Sequence, residues 1–220
     1  MVAGNMCQKD LQIADLHAAL EMVLSLSADA LATQILDIGF KCQGCGECCS
    51  GEDNSVVVFP VEVRNIQAAT GLGWLEVVRP PDAGEWDKDG CFHTLEWRLK
   101  KEGASCRFYE DGRCGIYLSR PGLCSTYPFY LDEGVLQYSL CCGIGGVIEP
   151  AEAKELAERV RRRSVLELME AIALTEKFED FERGRSGESG VCVVHDSEGP
   201  HRIFGARINP DCNQIDCNQE

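Results

Sequence analysis

The chain has 220 residues, 45% of them hydrophobic, and a net charge of -15. That is enough apolar material to build one ordinary domain with flanking structure, and it excludes a disordered chain. The acidic balance argues against a nucleic-acid partner, because phosphates are held mainly by lysine and arginine.

In chain order, residues 9–37 read as one or two helices. Leu11, Ala14, Leu16, Leu20, Val23 and Leu24 recur at helical spacing, a break is expected near Ser27, and Gly39 closes the segment. Asp15, His17 and Glu21 interrupt the apolar run, which excludes a signal peptide or a membrane helix there. The expectation is a soluble, cytoplasmic protein without a membrane partner.

After the cysteine loop, "SVVVFP" (55–60) reads as a strand, and Pro60 to Gly71 as a helix with proline at its start and glycine at its end. Residues 79–90 read as a loop. Short strands follow around 95–99, 106–109 and 114–117, with "EDGR" turning between the last two. "YPFYLDEGVLQYSL" reads as a hairpin turning at Glu133-Gly134.

Residues 152–181 form one long charged helix, buried through Leu156, Val160, Leu166, Met169, Ile172 and Leu174. Its basic run, Arg159 and Arg161 to Arg163, reads as a solvated face. A linker over 184–190 leads to a last hairpin and a polar tail.

The expected class is α+β: a small irregular, metal-organised core of short strands and loops, flanked by helices and a terminal β-hairpin. The expected divisions are an N-terminal helical segment (1–38), a cysteine-cluster metal-binding domain (39–150), a long helix packing on the core (151–183), a C-terminal hairpin (190–209) and a mobile tail (210–220).

Ten of the 14 cysteines fall between Cys42 and Cys142, and the proposed helices flanking that span hold none. Thiols used only as small core residues would be spread more evenly. In a reducing compartment such clustering points to metal or catalytic thiols rather than disulfides.

"KCQGCGECCSGE" supplies Cys42, Cys45 and Cys48 at C-x2-C-x2-C spacing, with Gly44 and Gly46 inside the turns. Glycines there allow the tight backbone path that brings thiolates to one ion. The bacterial ferredoxin run begins the same way. It departs at Cys49, which follows Cys48 directly, so the two side chains point apart. A fourth ligand must come from farther along, where Cys106, Cys114, Cys124, Cys141 and Cys142 sit beside turns or strand ends.

"FKCQGCGECC", then Cys106, Cys114, "IYLSRPGLC" ending at Cys124, "PF" at Pro128-Phe129 and the "C-x-G-I-G" run resemble the YkgJ-type CxxCxxCC cysteine-cluster family of zinc- or iron-chelating domains. The resemblance covers residues 39–150. It implies metal binding through Cys42, Cys45, Cys48, Cys49, Cys106, Cys114, Cys124 and Cys141. Eight thiols would fill two four-thiolate sites, or one site with thiols to spare. Cys142 stands where the family usually has proline.

Some relatives are called Fe–S oxidoreductases and some are linked to protein lysine methylation. The expected cofactor is an iron–sulfur cluster of 4Fe–4S type serving redox or cluster-dependent chemistry, with a protein redox partner. Zinc in a structural or interaction module is the alternative, and a metal-dependent methyltransferase or its accessory is the third.

Other features read more plainly. Cys91 and His93 form a C-x-H pair, where a lone cysteine is usually buried and a lone histidine usually a hydrogen-bonder. Cys7, Cys192, Cys212 and Cys217 are expected outside the main site. Arg120-Pro121-Gly122 reads as a turn aiming Cys124 inward, with Arg120 as a secondary source of positive charge for the sulfurs. "GIGG" (143–146) lacks the phosphate-loop spacing and reads as a close backbone approach. The sequence signatures of serine hydrolases, zincins and kinases are absent.

Overall fold

Ser27 divides the first apolar stretch, because its hydroxyl accepts a hydrogen bond from the Ala30 amide and caps a new helix. The computed structural model describes residues 8–51, 54–187, 189–205, 207–209 and 214–216. Among these, the helices in chain order are α1 (Gln8–Ser25), α2 (Ala28–Ile38), α3 (Pro60–Thr70), α4 (Trp74–Val77), α5 (Gly122–Thr126) and α6 (Pro150–Lys177). Several small sheets of short strands complete an α+β fold with a C-terminal hairpin. No single described helix is long and apolar enough to cross a membrane. α1 and α2 pass that test only as a pair, and they are bent by 77° at their break.

The chain divides into two units, one made of residues up to 48, 111–113 and 121–172, the other of 49–110, 114–120 and 173 onward. In the first, α2 presents Leu31, Ala32 and Ile35 to a core shared with Phe129, Leu136, Ala153, Leu156, Ala157 and Val160. Phe129 and Leu136 come from the predicted hairpin, Phe129–Asp132 with Val135–Tyr138. Its two turn residues, Glu133 and Gly134, both have positive φ, at 47° and 77°. This is the twist that a two-residue hairpin loop needs.

α6 buries alanines and one serine that the apolar pattern passed over. Ala153, Ala157 and Ser164 lie inside, whereas Met169 is 54% exposed. The small side chains let α6 approach its neighbours closely. α5 is tied to α6 by Arg163, which donates to Thr126 Oγ1 at 3.0 Å and pairs with Glu167 at 2.6 Å.

In the second unit, Trp97–Leu99 is the centre of a three-stranded antiparallel sheet between Val57–Val58 and Val78–Arg79. A second sheet runs Gly199–Phe204, Val191–Asp196, Phe92–Leu95, Glu85–Trp86, with its middle pair parallel. The buried bond from Trp97 Nε1 to Asp196 Oδ2, at 2.7 Å, joins the two sheets. The expected loop over 79–90 thus contains the strand Glu85–Trp86, which forms because Trp86 packs on Phe92. The tail contributes a strand pair, Arg207–Asn209 with Gln214–Asp216. The rest of the span expected to be mobile lies outside the described residues.

Candidate metal centre

Two loops far apart in sequence are laced together in the first unit. The Lys41 amide donates to Gly143 O at 2.9 Å, the Gly145 amide to Gly39 O at 3.0 Å, and Phe40 bridges Ile144. Such closeness needs glycine. A Cβ on Gly143 would stand 2.5 Å from Lys41 O, and one on Gly146 would stand 2.8 Å from Lys41 N. This is the close approach that "GIGG" predicts.

The lacing carries the first cysteine loop against the second. Gly44 and Gly46 have φ of 65° and 76°, the left-handed turns that fold Cys42, Cys45 and Cys48 into one short loop. The Cys142 thiol then donates to the Cys45 sulfur at 3.4 Å. Ligand atoms of Cys45, Glu47 and Cys142 all lie within 4.8 Å of one another, the one such group among the described residues.

Cys42, Cys45, Cys48 and Cys142 are exposed, while Cys141 is half-buried and accepts from the Gly143 amide at 3.5 Å. The hydrogen bond to Cys45, then desolvation and the charges of Cys45, Cys141 and Glu47, push the Cys142 thiol up to about 11. Tyr127 lines the same loops and donates to Leu140 O at 2.9 Å. Burial first, then the negative charge of Cys141, Cys48, Glu47 and Cys45, pushes its phenol pKa up.

Sulfur donors gathered beside the Glu47 carboxylate are what a thiophilic cation binds once it displaces their protons. The donors present therefore fit a zinc- or iron-type group. Cys142 takes the contact although the resemblance assigns Cys141. Glu47 and Tyr127 escaped the sequence reading. Glu47 could have been found, since it lies between two candidate cysteines in "CGECC".

The remaining predicted thiols are placed as follows. Cys49 and Cys106 lie on adjacent backbone segments of the second unit, because Ser50 and Ser105 pair in a bridge. The strand Arg113–Cys114 leads to Gly115, whose amide donates to Phe108 O at 2.8 Å, so Cys114 is drawn toward the same segment. Cys124 is half-buried inside α5 of the first unit, with Pro121 as the helix's N-cap. Arg120 stacks over the Tyr117 ring at 3.9 Å, and Pro121-Gly122 opens α5. Cys91 is half-buried and Cys192 is fully buried in a strand. Cys7, Cys212 and Cys217 lie outside the described residues.

His93 is a hydrogen-bonder in the second unit, as a lone histidine usually is. Its Nε2 meets Asp87 Oδ2 at 3.0 Å and its Nδ1 meets His195 Nε2 at 2.8 Å, with Phe181 stacked on the ring. Burial, then the neighbouring His93, pulls the His195 pKa down. Asp196 opposes that pull, and it also takes the His201 ring nitrogen at 2.9 Å. Burial would raise Asp87, but amide bonds from Cys91 and Asp89 and the His93 ring outweigh it and hold the carboxyl low.

Both shifts give stability the same sign. The unfolded chain binds protons that the folded chain refuses, from about pH 6.5 downward for histidine and again near pH 4 for the carboxylate. Melting temperature is therefore expected to hold above pH 7 and to fall steadily between pH 6.5 and 5. His195→Gln should flatten that slope in a thermal melt series, and an equally steep slope in the variant would refute the assignment.

Residues 41–143 match the model of the CxxCxxCC family, whose description reads "Putative zinc- or iron-chelating domain". No solved structure matches the chain. The matched span opens at the first cysteine loop and closes at Gly143, the glycine that laces the second loop to it. Residues 41–143 are thus similar to the zinc- or iron-chelating cysteine-cluster domain of the CxxCxxCC family.

Proposed function

We propose that the chain is a zinc-binding module whose first unit holds a single ion through Cys42, Cys45, Cys48 and Cys142. The observation that carries this reading is the 3.4 Å approach of the Cys45 and Cys142 sulfurs. Thiolates bound tetrahedrally to one zinc at about 2.3 Å stand about 3.8 Å from each other. The two sulfurs are therefore already near the spacing that one ion imposes. In a cubane cluster each iron takes its own thiolate, which sets the sulfurs farther apart.

Cys42 and Cys48 join by their C-x2-C-x2-C spacing around Cys45, and Glu47 adds a carboxylate that strengthens the local pull on a cation. Bound zinc would supply charge neutralisation and a fixed crosslink between the two loops. The chain's own part is to hold the loops in register through Gly143 and Gly146. All four thiols face solvent, which suits an ion that exchanges more than one locked in a core.

A second reading, an iron–sulfur cluster with a protein redox partner, is favoured by the Gly143 amide that donates to the Cys141 sulfur. Amide bonds to sulfur are a means by which proteins set cluster potentials. Protein purified without oxygen separates the two. Equimolar zinc with no acid-labile sulfide is the expected result. Brown protein containing iron and sulfide would overturn the zinc reading in favour of the second.

A further inference from the structure

The Cys45 and Cys142 thiols are 97 residues apart in sequence, yet their sulfurs are in contact and both are exposed. The contact is imposed by backbone, since the lacing of 39–41 to 143–146 sets the two chain segments before either side chain chooses a rotamer. Cys142 also stands where the family resemblance places proline, so this pair belongs to this chain's own sequence. A hydrogen-bonded thiol pair has chemistry besides ligation. Its sulfurs need only move from 3.4 Å to the ~2.0 Å of a covalent bond.

We propose that Cys45 and Cys142 form an oxidation site at which a hydroperoxide makes a disulfide and thereby withdraws two sulfur donors from the metal. The inference rests on the zinc reading for its consequence, but not for the bond itself. In the first step the Cys45 sulfur, the acceptor of the thiol–thiol hydrogen bond, attacks the peroxide oxygen. The O–O bond breaks, a sulfenic acid forms, and the departing hydroxide leaves as water with a proton taken from the Cys45 thiol in the metal-free chain or from solvent when Cys45 is a metal-bound thiolate. In the second step the Cys142 sulfur displaces the sulfenic hydroxyl, which leaves as water with a proton from the Cys142 thiol or, when Cys142 is metal-bound, from solvent. Two thiols give up two electrons, and one hydrogen peroxide becomes two waters. A small-molecule dithiol reverses the change by exchange, breaking the S–S bond and restoring both S–H groups.

The test uses the full chain loaded with zinc and titrated with hydrogen peroxide in the absence of oxygen. Released zinc is followed with a coloured chelator, and disulfides are mapped by mass spectrometry of unreduced peptides. The expected outcome is a Cys45–Cys142 crosslink as the main product, zinc release in equal moles, and recovery of zinc binding after dithiothreitol. Zinc release with a different pairing, or with sulfinic acids and no such crosslink, overturns the proposal. So does a chain that keeps its zinc and forms no crosslink.

The same mapping on chelator-treated, metal-free chain keeps the two claims apart. A chain that binds no zinc yet forms the Cys45–Cys142 bond sinks the zinc reading alone. A chain that binds zinc yet never forms the bond sinks the oxidation site alone.

Discussion

Cys45→Ser and Cys142→Ser are each expected to weaken zinc binding by more than about 100-fold, since removing even an outer partner of a ligand costs about 10–100-fold. The argument starts from the contact itself. The two sulfurs touch across 3.4 Å, so each is the other's neighbour on any ion they share. Serine keeps the size but offers a harder, far less acidic donor, which zinc and iron both disfavour. Glu47→Gln should cost less, about tenfold, because it removes charge beside the sulfurs while leaving them in place.

Cys141→Ser should also cost less than Cys142→Ser, because the Cys141 sulfur is engaged by the Gly143 amide. Cys91→Ser, in the second unit, should leave affinity unchanged. Competition against a chelator of known affinity measures all five. Wild-type affinity in Cys142→Ser, with loss in Cys141→Ser, would return the ligand role to the cysteine that the family resemblance assigns.

Gly143→Ala is expected to damage the centre without touching a ligand. The added methyl would stand 2.5 Å from Lys41 O and 2.9 Å from the Phe40 ring. Neither can retreat freely: Lys41 O is backbone, and Phe40 packs edge-on against the buried Phe129 at 5.8 Å. The loops must part, and the Lys41–Gly143 hydrogen bond goes with them. Overpacking of this kind costs on the order of 1–3 kcal/mol. The prediction is a lower melting temperature together with weaker zinc binding. A variant that melts lower yet binds zinc as tightly as before would show that the lacing supports the fold alone.

The sequence shows the local elements well and the distant partners poorly. The Ser27 cap, the Pro60 and Gly71 bounds of α3 and the Glu133-Gly134 turn were all readable, because each depends on chemistry within a few residues. The strand Val191–Asp196 was readable too, but its parallel pairing with Phe92–Leu95 was not. Alternation along a strand says which face is buried, not which strand lies beside it. The alanines of α6 were missed for another reason, since small residues carry little apolar signal although they set how closely helices pack.

The same limit shapes the metal centre. Cys42, Cys45 and Cys48 announce themselves by spacing within one loop. The approach of Cys142, rather than its neighbour, to Cys45 depends on how residues 143–146 meet residues 39–41, which no local pattern encodes. Glycine clusters far from each other are the available clue, because two segments that lack side chains can approach as backbones.

That lacing also fixes an order of events during synthesis. The C-x2-C-x2-C loop emerges early, but its partner thiol lies 97 residues later. Closing so long a span costs chain entropy that no local contact repays in advance. Until the second loop arrives, the first is an open three-sulfur hook, available to any passing soft cation. On the proposed ligand set, the fourth sulfur can join the other three only after the glycines at 143 and 146 have been made.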